Sequence, residues 1–483
     1  MIPARKLIPL IVACGLFMEN LDSTVLSTSL PAIAASLHED PISLKLALTS
    51  YLLSLAVFIP ISGWVADKYG ARTVFMAAIA VFTAGSMLCG QSNSLPEFVL
   101  FRIVQGLGGA MMVPVGRLVI LRTVPKPELI SALAWLTIPA LLGPVLGPPL
   151  GGFITTYFNW RWIFYVNVPI GALGLALTWK FITNVVEADT PPLDKTGFAL
   201  SGLGLSAFVF GLAVLGENTG SLTLGFLLTA AGLAICALYV WHARRTENAV
   251  IDLRLLRIPT FRAAVIGASF FRIGVGAVPF LLPLMLQLSF GLSPFQSGTI
   301  TFAASAGAIL MKATAAPIIR RFGFRNVLIV NALVSSAFLA ATGFFTAGTA
   351  HAIIIATLLS GGFFRSLEFT AINALGYADI QQHDMSRATS FASVAQQVSL
   401  SLGVALGALI LQAARGVRGE TAIMQSDFAL AFWIVAAISA LSVVSFLRLP
   451  AGAGEEMVGA SPGSAAVTAP ASGANPRAEA TVP

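Results

Sequence analysis

Residues 16–34 read LFMENLDSTVLSTSLPAIA. The stretch lies inside an apolar run long enough to cross a bilayer, yet Glu19 and Asp22 stand in it about one helical turn apart. A carboxylate at membrane depth costs about 2.5–3.5 kcal/mol on insertion scales, so such groups face a wet cavity or pair with an opposite charge. The rest of the chain is read for what answers these two acids.

Of 483 residues, 57% are hydrophobic and 10% charged, with a mean hydropathy of +0.86. A soluble chain carries roughly 25% charged residues, so this composition is that of a polytopic membrane protein. About fourteen stretches reach the roughly 20 apolar residues that a span needs: 7–34, 44–66, 73–91, 96–121, 130–156, 161–183, 197–215, 221–242, 262–288, 295–319, 326–346, 350–374, 387–413 and 427–448. Lipid offers no partner to an open backbone group, so the spans must be helices and the fold an all-α membrane protein. The net charge of +7 is not spread as a nucleic-acid surface would be. Lys and Arg gather in alternate loops: Arg5 and Lys6; Lys68 and Arg72; Arg122 and Lys126; Lys180 and Lys195; Arg244 to Arg262; Arg320, Arg321 and Arg325; Arg387. The intervening loops hold Lys45, Arg161, Arg415 and Arg418. This bias predicts that both termini are cytoplasmic. Cys14, Cys89 and Cys236 lie in apolar spans and read as small hydrophobes. Arg5–Lys6 ahead of the first run resembles a signal peptide, but the run is too long and acidic, so an uncleaved first span is expected.

The loop after the second span reads GWVADKYGAR (63–72), and that after the tenth reads APIIRRFGFR (316–325). Aligned without gaps they match at Gly70/Gly323 and Arg72/Arg325, with Arg320 where the first copy has Asp67. A parallel internal repeat follows, a common construction in transporters. The predicted layout is an N-terminal six-helix bundle (1–184), a linker carrying two additional transmembrane helices (185–261), a C-terminal six-helix bundle (262–450) and a small, polar, disordered cytoplasmic tail (451–483). Within the linker, DLRLLRIPTF (252–261) is expected to form a short interfacial helix.

Four patterns resemble the major facilitator superfamily, and within it the fourteen-helix drug:proton antiporter branch of the EmrB and QacA type. They are LDSTVLSTSLPAIA in span 1, GWVADKYGAR after span 2, FRIVQGLGGA (101–110) in span 4 and LLGPVLGPPLGG (141–152) in span 5. The resemblance implies the major facilitator fold, two six-helix bundles plus two inserted helices. It implies alternating access in a bacterial inner membrane, with a small-molecule substrate and a proton as coupling ion. It also implies that Arg102 of helix 4 takes part in proton transfer and that the helix 1 acid is functional.

The residues themselves point the same way. At 1.5 Å per residue, Asp22 lies roughly 22 Å up span 1 and Arg102 roughly 9 Å down span 4. In a core about 30 Å thick the two could meet; Glu19 with Arg102 is the competing pair. Gln105 shares the face of Arg102. Shifting Glu19 by the repeat offset lands on Arg272 in SFFRIGVG, expected across the central cavity, where a guanidinium would favour carboxylate ligands. Arg272, Gln105, Phe271 and Gln287 are the expected substrate path. In the first loop, Gly63 and Gly70 would permit a tight connection. Asp67 would cap the next helix, and with Arg72 it would form a charge latch. Gly143, Gly147 and Gly151 would let helices approach closely. Pro144 and Pro148 lack donors and kink the helix. Together these five are read either as hinge and seal between the halves or as ordinary close packing. Lys312, Arg365 and Glu368 read as structural, Arg365 pairing with Glu368 one turn on.

No phosphate-binding loop, metal cluster or nucleophile constellation is visible, and no cofactor or enzymatic activity is expected. The expected function is a proton-coupled exporter of amphipathic small molecules, acting as a monomer with the lipid bilayer as its other partner. Export of organic anions such as citrate is one alternative, and a non-transporting membrane sensor is another.

Overall fold

The computed structural model describes residues 4–123, 129–184, 186, 190, 192–215, 222–381, 384–420, 422–450 and 452–454. The tail expected to be disordered lies, from residue 455 on, outside them. Fourteen long helices run in order: α1 (Ala4–Leu37), α2 (Lys45–Tyr69), α3 (Ala71–Gln91), α4 (Leu95–Thr123), α5 (Leu129–Tyr157), α6 (Trp162–Phe181), α7 (Lys195–Leu215), α8 (Leu222–Ala243), α9 (Pro259–Ser289), α10 (Pro294–Phe322), α11 (Phe324–Thr342), α12 (His351–Leu375), α13 (Met385–Arg418) and α14 (Gln425–Leu447). Among the described residues thirteen are long and apolar enough to cross a membrane; α5, of 29 residues, is the fourteenth. Short connections make neighbours antiparallel. The end of the bundle that holds Gly70 is here the near end, and the end that holds Asp40 the far end.

The repeat is visible in backbone detail. Gly70 (φ +89°) turns the chain from α2 into α3, and Gly323 (φ +73°) turns it from α10 into α11. Both sit in a region that L side chains rarely enter, so glycine is required there. Beyond each glycine an arginine ties down the last helix of its half. Arg72 Nη2 donates to the Trp179 carbonyl at 2.7 Å, and Arg325 Nη2 to the Leu447 carbonyl at 3.2 Å. Gly63, by contrast, sits inside α2 with open space beside it and plays no part in the turn.

Missing side chains set the closest helix approaches. Gly143, Gly147 and Gly151 press α5 onto Asn20, Thr24 and Val25 of α1, within the N-terminal half. Their counterparts in α13, Gly403 and Gly407, press onto α9. Gly307 of α10 and Gly362 of α12 face each other's backbone at Leu359 and Ala304.

A different face of α5 meets the other half. Pro148 has no N–H, so the Pro144 carbonyl loses its helical donor four residues on. Ser305 Oγ of α10 donates to that carbonyl at 2.9 Å. Gly298 of α10 packs on the Pro148 carbonyl, and the Phe295 N–H reaches Thr156 Oγ1 at 3.0 Å. On the opposite side α2 meets α13: Lys45 Nζ donates to Gln412 at 3.3 Å, Ser401 Oγ to the Thr49 carbonyl at 3.4 Å, and Arg415 pairs with Asp40 at 2.6 Å. Gln287, in a widened π turn of α9, donates to the Thr28 carbonyl of α1 at 2.9 Å. These contacts run from the far end down to about mid-depth, so the halves are clasped there.

The inserted pair packs α7 on α8 through Gly204, Gly211 and Gly232, and lays α7 against α2, with Phe58 and Phe198 at 6.0 Å. The segment after α8 turns back onto the C-terminal half. The Tyr239 hydroxyl both donates to and accepts from the Ile251 backbone, and Arg387 of α13 holds Asp252. The helix expected in this segment is a 3₁₀ turn, Leu253–Arg257, capped by the Asp252 side chain with Leu255 buried.

Gly362→Val drives a branched side chain into the Ala304 backbone. Overpacking of this kind costs about 1–3 kcal/mol, so the thermal unfolding midpoint of the solubilised protein falls. Gly63→Ala, in open space, leaves the midpoint unchanged or raised.

Candidate functional site

Five helices of the N-terminal half converge on one buried charge pair. Arg102 of α4 is 0% exposed and Asp22 of α1 is 3% exposed. Arg102 Nη1 donates to Asp22 Oδ2 at 2.6 Å and to Gln105 Oε1 at 2.6 Å. Gln105 Nε2 donates to Asp22 Oδ1 at 2.8 Å, and Asn167 Nδ2 of α6 approaches the same oxygen at 3.3 Å. Arg102 Nε reaches the Ala47 carbonyl of α2 at 3.2 Å, and its guanidinium lies 4.2 Å from the centre of the Tyr51 ring. Asn167 is itself held by Ser86 of α3 at 3.0 Å. Close approach permits this convergence: Gly85 of α3 sits on the backbone of Gln105, and Gly106 of α4 on Ser54 and Tyr51.

The physics of such a node is one-sided. Desolvating two charges offsets much of their attraction, so a buried pair adds little net stability. Removing one partner alone is expensive, because it strands the other charge. The carboxylate is therefore committed to Arg102 while ionised. Once protonated it can keep neutral hydrogen bonds while the charge attraction vanishes.

Of the two acids, Asp22 takes the arginine. Glu19 lies one turn toward the near end, half-buried as a residue but with Oε2 buried and unpartnered. The cation whose field acts on it is Arg117 of α4, which is exposed. Of the expected substrate path, Gln105 is bound into the charge node. Phe271 is buried, edge-on to Phe369 at 5.7 Å. Arg272 is turned to α12, donating to Asn373 Oδ1 at 3.3 Å with its guanidinium 5.8 Å from the Phe369 ring, and is 2% exposed. Gln287 joins the halves at the far clasp. The expected opposition of Arg272 to Glu19 assumed a constant register between α1 and α9. The register holds despite the π turn at Ala263–Gly267: α1 meets α5 at Asn20, Thr24 and Thr28, and α9 meets α13 at the matching positions Ile273, Ala277 and Leu281.

The first-loop latch also differs from expectation. Asp67 does not cap α3, whose N-terminus has no side-chain cap. It pairs with Arg122 at the end of α4, because its side chain leaves α2 on the face packed against that helix. Arg320, its counterpart in the second half, is exposed. In α12, Glu368 is bonded by Asn331 of α11 at 2.9 Å instead of by Arg365, and Lys312 Nζ donates to Thr370 at 3.0 Å. Tyr51, Arg117 and Asn167 complete these arrangements and were not singled out from sequence, and Arg122 was read there only as part of the positive loop bias. For Asn167 the signal was there: a lone amide in the apolar run of span 6.

Arg102→Ala strands the Asp22 charge in a site built for a cation. A loss of about 3–5 kcal/mol is expected, read as a large fall in the unfolding midpoint in detergent. Adding Asp22→Asn to Arg102→Ala recovers part of that loss, because the two changes share one interaction.

The sequence profile of the Major Facilitator Superfamily matches residues 12–243 and 264–472. The chain is 37% identical over 460 residues to the Salmonella typhimurium protein named "Putative multidrug resistance protein MdtD", covering 93% of this chain and 96% of that one. Its Cronobacter sakazakii namesake is 38% identical over 448 residues, covering 91% and 94%. Among solved structures, the fold is similar to a D-xylose–proton symporter (TM-score 0.66, 15% identity, covering 93% and 98%). It is also similar to an auto-inhibited POT family peptide transporter (TM-score 0.67, 15% identity, covering 92% and 97%). The chain belongs to the major facilitator superfamily, and is a multi-pass membrane transporter and not an enzyme.

Proposed function

We propose that this transporter is a proton-coupled exporter, exchanging an inward proton for the outward movement of amphipathic small molecules across a bacterial inner membrane. The observation that carries the reading is the Asp22–Arg102–Gln105 node, sealed from solvent among five helices. An intramembrane carboxylate paired in this way marks a proton relay or an ion path by default. The relatives named for multidrug resistance support the substrate class.

The positive-inside bias assigns the near end to the cytoplasm. The far-end clasp then corresponds to an inward-facing conformation, and the formed ion pair to a carboxylate that has already released its proton. In this state the carrier is ready to take substrate from the inside. After substrate leaves on the outside, a proton neutralises Asp22 and its attraction to Arg102 ends. The hold of α1 on α4 and α6 weakens, and the return transition is favoured. Thr28, six residues along α1 from Asp22, carries the clasp contact to Gln287. A change in the seating of α1 is thereby felt at the far end. The Asp67–Arg122 and Arg72–Trp179 contacts bind the near ends of α2, α4, α3 and α6 into one body.

The test uses purified protein in liposomes with an imposed pH gradient and a lipophilic cationic dye. Wild type moves the dye against its gradient. Asp22→Asn is expected to abolish gradient-driven movement while leaving downhill exchange. Undiminished pH-driven transport in Asp22→Asn would remove this residue from the coupling.

A further inference from the structure

Helix α12 is the repeat counterpart of α4, and it too buries charge. Glu368 is 0% exposed. One carboxyl oxygen accepts from Asn331 Nδ2 at 2.9 Å, and the other is buried with no partner. Asn331 also donates to the Phe364 carbonyl at 2.8 Å, so its amide is fixed between α11 and α12. Among the described residues no cation pairs with Glu368. Among groups on the helices packed around it, Lys312 of α10 is engaged by Thr370 and Arg272 of α9 by Asn373. Arg325 of α11 is at the near end, on the Leu447 carbonyl. That leaves Arg365, three residues earlier on the same helix, with no ion pair or hydrogen bond among the described residues. Arg365 lines a cavity of about 50 Å³ whose wall is mostly apolar, with Phe271, Phe338 and Leu339 beside the hydroxyls of Ser335 and Thr357. A water needs roughly 10–15 Å³ on this measure, so the cavity has room for a few.

Two opposite charges one turn apart would ordinarily pair, and leaving an ionised carboxylate in such a site without a cation is costly. A neutral amide donor on one oxygen and no cation on the other suit a carboxylic acid.

We propose that Glu368 is a second proton-binding site, located in the C-terminal half, with Arg365 as the partner it takes on losing its proton. The proton comes from water to the unpartnered oxygen and forms its O–H bond. On release it returns to water, and the Arg365 guanidinium swings from the cavity to the carboxylate. The inference extends the proton-coupled reading: each half carries one titratable node, Asp22 with Arg102 and Glu368 with Arg365.

The test reads protonation directly, so it stands apart from any transport assay. Infrared difference spectra of the purified full chain are recorded over a pH titration. Glu368→Gln, nearly isosteric and able to keep the Asn331 bond, is expected to lose one protonated-carboxyl C=O band that Asp22→Asn retains. In Arg365→Gln that band persists to higher pH, by roughly 1–3 units if a close cation is lost. An unchanged carboxyl spectrum in Glu368→Gln overturns the site, and an unmoved titration in Arg365→Gln overturns the partner exchange. Should Glu368→Gln fail to fold, a hydrophobic carbodiimide that attacks buried protonated carboxyls is applied to wild type. Mass labelling of the peptide holding Glu368, fading as pH rises, supports the site, and absence of label at low pH overturns it. Loss of coupling in Asp22→Asn with these bands intact would bear on the first node alone.

Discussion

A guanidinium and a carboxylate locked together out of reach of water impose most of the order seen in the N-terminal half. Arg102 donates through Nε and Nη1 to α1, α2 and its own helix, with Nη2 buried and unpartnered, so three helices must hold their depth and rotation for the pair to exist. Asn167 and Ser86 add α6 and α3 to the same account. The glycines at 85 and 106 are what let the helices come close enough. Packing and charge thus constrain one another. Close helix approach excludes water from the pair, and the unpaired cost of either charge penalises any slip of the helices.

Much of this was legible because helical rise is fixed. Depth arithmetic along two spans sufficed to bring Asp22 and Arg102 to one level, and the glycine-centred loops announced the repeat that Gly70 and Gly323 display. Glu19 and Asp22 share one face of α1, so which of them meets Arg102 turns on a single helical turn of depth, finer than span edges read from sequence. Rotation about a helix axis was harder to read. The side-chain directions of Asp67 and Arg365 were decided by neighbours remote in sequence, α4 and the α11–α14 cavity. The seat of the inserted pair, against α2 on one side and α13 on the other, left no trace in local pattern.

The two halves share a plan and differ in chemistry. Arg72 and Arg325 make the same contact in each, while Asp67–Arg122 has no second copy because Arg320 stands in the acid's place. The near end of the N-terminal half is therefore braced by charge in a way its counterpart is not. The near end of the C-terminal half is tied differently, by Arg387 on Asp252 and Thr260 on Asp379.

The seam between α5 and α10 carries one more implication. Because proline stands at 148, the Pro144 carbonyl lacks its usual donor four residues on, and in this conformation it takes the hydroxyl of Ser305. When the two helices part, that acceptor has to be met by solvent. Opening is thus tied to wetting of the crevice, and the kinetics of the cycle should respond to how readily water invades it: slower at high osmotic pressure, faster where the surrounding surfaces are made more polar.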